Sequence, residues 1–187
     1  TAAFAFTDNA IAIGANSQAV TGPNGIAIGV TAYASGPFSS IAVGTSADAS
    51  GNYAVAIGGH ASAAGDYGVA LGDSAYSSKK AVAIGFDSNA SGVQGFALGS
   101  SSVASGNNSV ALGGAIDKNG DGTITAGEYT AATGGLSMAL GSASQAIQDN
   151  ATAVGGESQA TGVGATAVGS TSLASGTAAA TLGFGAQ

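Results

Sequence analysis

The chain has 187 residues and a formal charge of −7, with ten acidic residues against three lysines and no arginine. Phosphate recognition needs clustered Lys and Arg, so nucleic-acid binding is excluded, and a chain without cysteine has no disulfide framework. The 33 glycines alone would point to disorder, but hydrophobic residues make up 45% and recur in register, which a disordered chain lacks.

A four-residue core, apolar–Ala–aliphatic–Gly, starts at Ile11-Ala12-Ile13-Gly14 and recurs along the whole chain. Its copies end at Gly14, Gly29, Gly44, Gly58, Gly72, Gly85, Gly99, Gly113, Gly141, Gly155, Gly169 and Gly183. The gaps are 13 to 15 residues, apart from one of 28 between Gly113 and Gly141. A fixed period sets the architecture before any local assignment matters. Each core reads as a short strand, since Val, Ile, Leu or Phe flank a central Ala with period-two alternation between Gly- and Ser-rich turns.

About three residues after each Gly the pattern predicts a second strand, small–x–small–Ser/Thr–Gly, as in Ala32-Tyr33-Ala34-Ser35-Gly36 and Ser102-Val103-Ala104-Ser105-Gly106. The x row varies freely through Gln18, Tyr33, Asp48, Ser62, Tyr76 and Asn89, which marks a solvent face. Two strands of about five residues with two turns fill one rung of a parallel β-solenoid. No helix fits between rungs. Two packings are open. The near-fixed Ala row fills a thin interior with Val, Ile and Leu outside, or the aliphatic row fills the interior with Ala outside. The thin roll is favoured, because the Ala position tolerates least variation in size. Its external apolar stripe could not stay in water, so the thin roll predicts an obligate oligomer.

Asn108-Ser109-Val110-Ala111-Leu112-Gly113 and Asn9-Ala10-Ile11-Ala12-Ile13-Gly14-Ala15-Asn16-Ser17 resemble the repeat of YadA-like heads of trimeric autotransporter adhesins, written N-S-V-A-I-G-x-x-S. The resemblance covers nearly all of residues 1–187 as one domain. It implies an all-β, left-handed parallel β-roll, homotrimeric, displayed on the bacterial surface and held in the outer membrane only by a C-terminal barrel that this sequence lacks. The first fifteen residues already carry the repeat and the family's neck and stalk are absent, so the chain is expected to be an excised head. On the thin-roll packing, the trimer interface is expected at Ile11, Ile13, Ile26, Ile28, Ile41, Val43, Val55, Ile57, Val69, Leu71, Val82, Ile84, Phe96, Leu98, Val110, Leu112, Met138 and Leu140. The association of the family's repeat with collagen binding carries over to Asn108, Ser109, Val110, Ala111, Leu112 and Gly113. From the residues alone, the outward Tyr33 and Tyr76 are better ligand candidates than Tyr53 and Tyr67, which packing explains.

The double gap hides the one chemically specific motif, Asp117-Lys118-Asn119-Gly120-Asp121-Gly122-Thr123-Ile124-Thr125-Ala126-Gly127-Glu128. It matches an EF-hand calcium loop position by position: side-chain oxygens from Asp117, Asn119 and Asp121, a turn at Gly122, the Thr123 carbonyl, Thr125 directly or through water, and Glu128 closing the site. Ca²⁺ is expected there in a structural role, since three acids without compensating cations and several glycines leave such a loop floppy until an ion orders it. The insertion is expected over 117–131, replacing one residue. On that reading Asp117 stands on the outward x row, the repeat resumes at Ala132, and Glu128 to Ala132 make about one helical turn. In a trimer three such loops would protrude as a contact surface.

Tyr53 and Tyr67, fourteen residues apart, should stack on adjacent rungs. His60 lies in a turn with a surface role, and Lys79-Lys80 form a solvated corner. With no nucleophile–base pair and no paired acids in a cleft, the chain is not expected to be an enzyme. The expected function is attachment to extracellular matrix, of a collagen-like kind, or to another surface. The alternative is a non-adhesive spacer in a trimeric surface or phage fibre. An ice-binding solenoid would need a flat Thr ladder, and the irregular x row opposes it.

Overall fold

The computed structural model describes residues 2–187 and is all-β; among the described residues there is no helix. Contacts divide the chain into two compact units, one ending at Asp87 and one beginning at Ser88. Each is a stretch of parallel β-solenoid.

In the first unit, three-residue strands (Ile11–Ile13, Ile26–Ile28, Ile41–Val43, Val55–Ile57, Val69–Leu71, Val82–Ile84) pair in sequence order as one parallel sheet. Two-residue strands from Phe4–Ala5 to Tyr76–Ser77 form the other. The second unit repeats this with three-residue strands from Phe96–Leu98 to Ala180–Leu182 and two-residue strands from Asn89–Ala90 to Leu173–Ala174. The strands are therefore shorter than the five residues expected. Each three-residue strand is ended by a Gly at positive φ, and except after Gly113, where the insertion follows, a residue in the left-handed region comes two positions later, as His60 does at φ 57 after Gly58.

Register explains the repeat. Ile26, Ala27 and Ile28 face Ile41, Ala42 and Val43 on the next rung, so like side chains stack on like. Backbone N–H groups bridge rungs at ladder distances, for example Ile26 N–H to the Ser40 carbonyl at 2.9 Å and Gly44 N–H to the Ile28 carbonyl at 2.8 Å. The glycine is dictated by space. Gly44 has φ +138, and a Cβ on it would lie 2.2 Å from the carbonyl oxygen of Gly58.

The interior is the thin one. Ala27, Ala42, Ala56, Ala70 and Ala83 from one sheet and Ala34, Ala49 and Ala63 from the other have no exposed surface. Serines share this interior; Ser17 donates to the Gly14 carbonyl at 3.0 Å and Ser102 to the Gly99 carbonyl at 2.9 Å, whereas the buried hydroxyls of Ser77 and Ser109 have no hydrogen-bond partner among the described residues. Among the described residues, nothing larger than a threonine, Thr130, is fully buried. The interior is too narrow for any aliphatic side chain, so Val, Ile and Leu stand on the outside of the roll.

Candidate functional site

Three surfaces carry the residues singled out by sequence. The first is the aliphatic row. Within a single chain, Ile26, Ile28, Ile41, Val43, Val55, Val69, Leu71, Val82 and Ile84 of the first unit are half-buried against their rung neighbours. So are Phe96, Val110, Leu112, Met138 and Leu140 of the second. Ile11, Ile57 and Leu98 are exposed, and Ile13 reaches 58%. In each unit the row is a ribbon two side chains wide, running from rung to rung in register.

The second surface is the outward row and the corners. Tyr33, Asp48, Ser62 and Tyr76 are successive partners on one ladder. Tyr33 and Tyr76, each 37% exposed, are thus three rungs apart, or roughly 14 Å on rung spacing, and do not touch. Between them the Asp48 Oδ1 has no hydrogen-bond partner, and burial pushes its carboxyl up against the opposing effect of a Ser50 hydrogen bond. Tyr53 and Tyr67 stack as expected, with centroids 5.3 Å apart and planes 15° off parallel. Phe38 extends the stack at 5.9 Å from Tyr53. Sequence reading missed Phe38, although its fifteen-residue offset from Tyr53 matches the local period. His60 Nδ1 lies 3.7 Å from Asp73 Oδ1, both well exposed.

The shared six-residue motif is only partly a surface. Ser109 and Ala111 have no exposed area, which corrects the reading of all six as a contact set: their side chains fill the interior. Asn108, at φ +56, is exposed, Val110 and Leu112 belong to the aliphatic row, and Gly113 ends the strand at φ +149.

The third surface is the insertion. Its place differs from the one expected. Ala131, not Asp117, stands on the x row, paired with Val103 on one side and Gln145 on the other. Thr130 takes the interior position that Ser102 and Ser144 hold on neighbouring rungs. It is fully buried, with its hydroxyl 3.1 Å from the Gly114 carbonyl and 2.8 Å from that of Gly141. The inserted segment is therefore 116–129, and it replaces nothing. The helical turn expected from Glu128 onward does not form, because Ala131–Ala132 is already strand.

The loop closes on itself. The Ile116 N–H donates to the Glu128 carbonyl at 2.6 Å. Asp117 accepts from the N–H groups of Gly120 at 2.6 Å and Gly122 at 2.8 Å, and Asp121 from that of Thr123 at 2.7 Å. Residues 117–126 are exposed, whereas Glu128 is only 5% exposed. Its Oε2 accepts from the Thr125 N–H at 2.9 Å and hydroxyl at 2.8 Å, and its Oε1 from the Lys118 N–H at 3.1 Å. The Thr125 backbone N–H, then its hydroxyl, hold the Glu128 carboxyl below the usual carboxylate range against the cost of burial. Lys118 turns its ammonium to Glu157, with Nζ 3.3 Å from Oε2.

The YadA head domain repeat model matches residues 1–19, 21–47, 38–61, 49–75, 77–102, 90–115 and 132–158, more than half of the chain. The chain belongs to the YadA head family. Its matches stop at 115 and resume at 132, on either side of the inserted segment. The rungs after 158 keep the same strand pairing without a match. A comparison with curated proteins found no match. YadA heads are adhesin-type, non-enzymatic domains, so the role of this chain is adhesin-like and its setting the cell surface.

Proposed function

We propose that the chain is the head segment of a trimeric surface adhesin, outside the cell, binding extracellular matrix of a collagen-like kind through repeated weak contacts. One observation carries the reading. The apolar side chains that other proteins bury stand on the outside of this roll, in register from rung to rung within each unit. Apolar surface of that extent is unfavourable in water. Three left-handed rolls facing one another through this row would bury it, with Ile11, Ile13, Ile57 and Leu98 gaining most. Attachment then falls to what remains outward: Tyr33 and Tyr76, the Phe38–Tyr53–Tyr67 stack, and Asn108. Multivalency makes weak contacts sufficient, since each one raises the effective concentration for the next.

The test is a fusion of residues 1–187 to a trimeric coiled coil, with retention measured on collagen against an uncoated surface. Saturable retention that falls about tenfold or more in Tyr33→Ala/Tyr76→Ala supports the reading. Retention no greater than on the uncoated surface removes the collagen-like ligand. The spacer reading is favoured by the interior position of Ser109 and Ala111, which makes that part of the shared motif structural. It requires a trimer that binds no matrix component. A molar mass of one chain for the unfused segment at micromolar concentration counts against self-association through the aliphatic row.

A further inference from the structure

The roll makes no use of the chemistry in residues 117–128. Oxygen-bearing side chains alternate at Asp117, Asn119 and Asp121, and Gly122 turns the chain at φ +78. Thr123, Thr125 and Glu128 complete a twelve-residue order that is far more specific than a group of acids, because residue type, spacing and the glycine all have to agree. A separate observation points to a cation. Glu128 is the one nearly buried carboxylate of the segment, and the partners of its two oxygens are neutral N–H and O–H donors. Among the described residues no ion pair reaches it, and Lys118, the only cation in the insertion, is engaged with Glu157. These neutral donors favour the ionised carboxylate but bring no positive charge, and a bound cation supplies one.

We infer that residues 117–128 bind one Ca²⁺ per chain. The oxygen donors are Asp117, Asn119, Asp121, the Thr123 carbonyl, Thr125 and Glu128. The set has no nitrogen or sulfur, which disfavours zinc and copper. A long loop with this many oxygens suits Ca²⁺, which accepts six to eight ligands flexibly, over Mg²⁺, which demands a near-ideal octahedron. The ion would also fix the loop to the roll. Glu128 is both a donor and the residue whose carbonyl closes the base, and Lys118 within the loop reaches Glu157 on the roll. The insertion thus becomes a rigid, calcium-dependent projection from the roll.

Calorimetric titration of the full chain, freed of metal with EDTA and exchanged into calcium-free buffer, tests this with CaCl₂ and MgCl₂ as probes. The expected result is one saturable Ca²⁺ site per chain, with a Kd between about 10⁻⁹ and 10⁻³ M, the range such loops span, and weaker uptake of Mg²⁺. Asp121→Asn/Glu128→Gln should weaken Ca²⁺ by about 100-fold or more. Deletion of residues 116–129 should abolish uptake while keeping the roll, because Ala115 followed by Thr130 restores the spacing of an ordinary rung. Circular dichroism reports the fold of both variants. No saturable heat from the wild-type chain with calcium up to about 10 mM overturns the inference. So does unchanged uptake after the deletion. Because the wild-type titration can refute it alone, a variant that fails to fold does not shelter it.

Discussion

Gly44 in the roll and Gly122 in the insertion both lie at positive φ, yet they are glycines for different reasons. At Gly44 the backbone of the next rung fills the place a Cβ would take, with the Gly58 carbonyl oxygen 2.2 Å away, and φ is +138. At Gly122 φ is +78 and nothing lies within 4 Å. The roll is specified by close approach of one rung to the next, the insertion by the path of its own chain. Damage should therefore spread in the first and stay local in the second.

The sharpest break of this comparison is a matched pair. Gly44→Ala should cost about 4 kcal/mol or more, since neither backbone can give way without losing ladder hydrogen bonds on both sides. Its expected signature is loss of the soluble folded chain or a collapse in Tm. Gly122→Ala should cost only the left-handed conformation of one residue, about 1–2 kcal/mol locally, and leave the melting of the roll in place. Equal effects on roll melting would refute the distinction.

Thr130 is where the two regions join, and it sharpens the comparison with a smaller effect. Its methyl and hydroxyl fill a position that Ser102 and Ser144 fill elsewhere, and its hydroxyl lies near two carbonyls, those of Gly114 and Gly141. Both carbonyls also accept backbone N–H groups, from Ala143 and Ser144 respectively, so they are not orphaned without it. Thr130→Val should therefore cost about 1 kcal/mol, the net value of a typical hydrogen bond. Thr130→Ser should come closer to wild type in a denaturant melt. A serine variant worse than the valine one would show that the methyl, not the hydroxyl, holds the junction.

The regular rungs were legible because their constraint is local and repeated. A position that is Ala on successive rungs, as at Ala27, Ala42 and Ala56, tolerates little variation in size, which favours the thin interior over Ala facing outward, and the structure leaves these side chains no exposed surface. Strand lengths were overestimated because residues read as strand at the ends of each small–x–small–Ser/Thr–Gly stretch, such as Ala32, Ser35 and Gly36, lie outside the paired segment Tyr33–Ala34. The insertion was legible in chemistry and misplaced in register. Glu128-Tyr129-Thr130-Ala131-Ala132 reads as a helical turn by propensity, and Thr130 in a serine row does not announce itself; only cross-strand pairing with Val103 and Gln145 fixes Ala131. The interior fate of Ser109 was hidden for a related reason: a serine before a strand reads as turn chemistry until its side chain is seen to point inward.

The smallest effect separates two carboxylates, one in each region. Asp48 stands on a strand of the roll with one oxygen unpartnered, and burial raises its pKa above the usual value. A carboxyl raised in the folded state binds a proton more readily folded than unfolded, so its contribution to stability improves as pH falls and is unfavourable at neutral pH. Glu128 has the opposite sign: hydrogen bonds lower its pKa, so its contribution is present above the unfolded value and fades as pH falls through the folded one. Asp48→Asn removes the charge and should stabilise the chain at pH 7. The gain should be below about 0.5 kcal/mol because the group is partly solvated. It should shrink toward zero as pH falls and the wild-type carboxyl takes up its proton. Paired melts at pH 7 and pH 3.5 read this directly. A variant that is less stable at neutral pH would mean that the Ser50 hydrogen bond outweighs burial, and that the roll holds this carboxylate by the same means the insertion uses for Glu128.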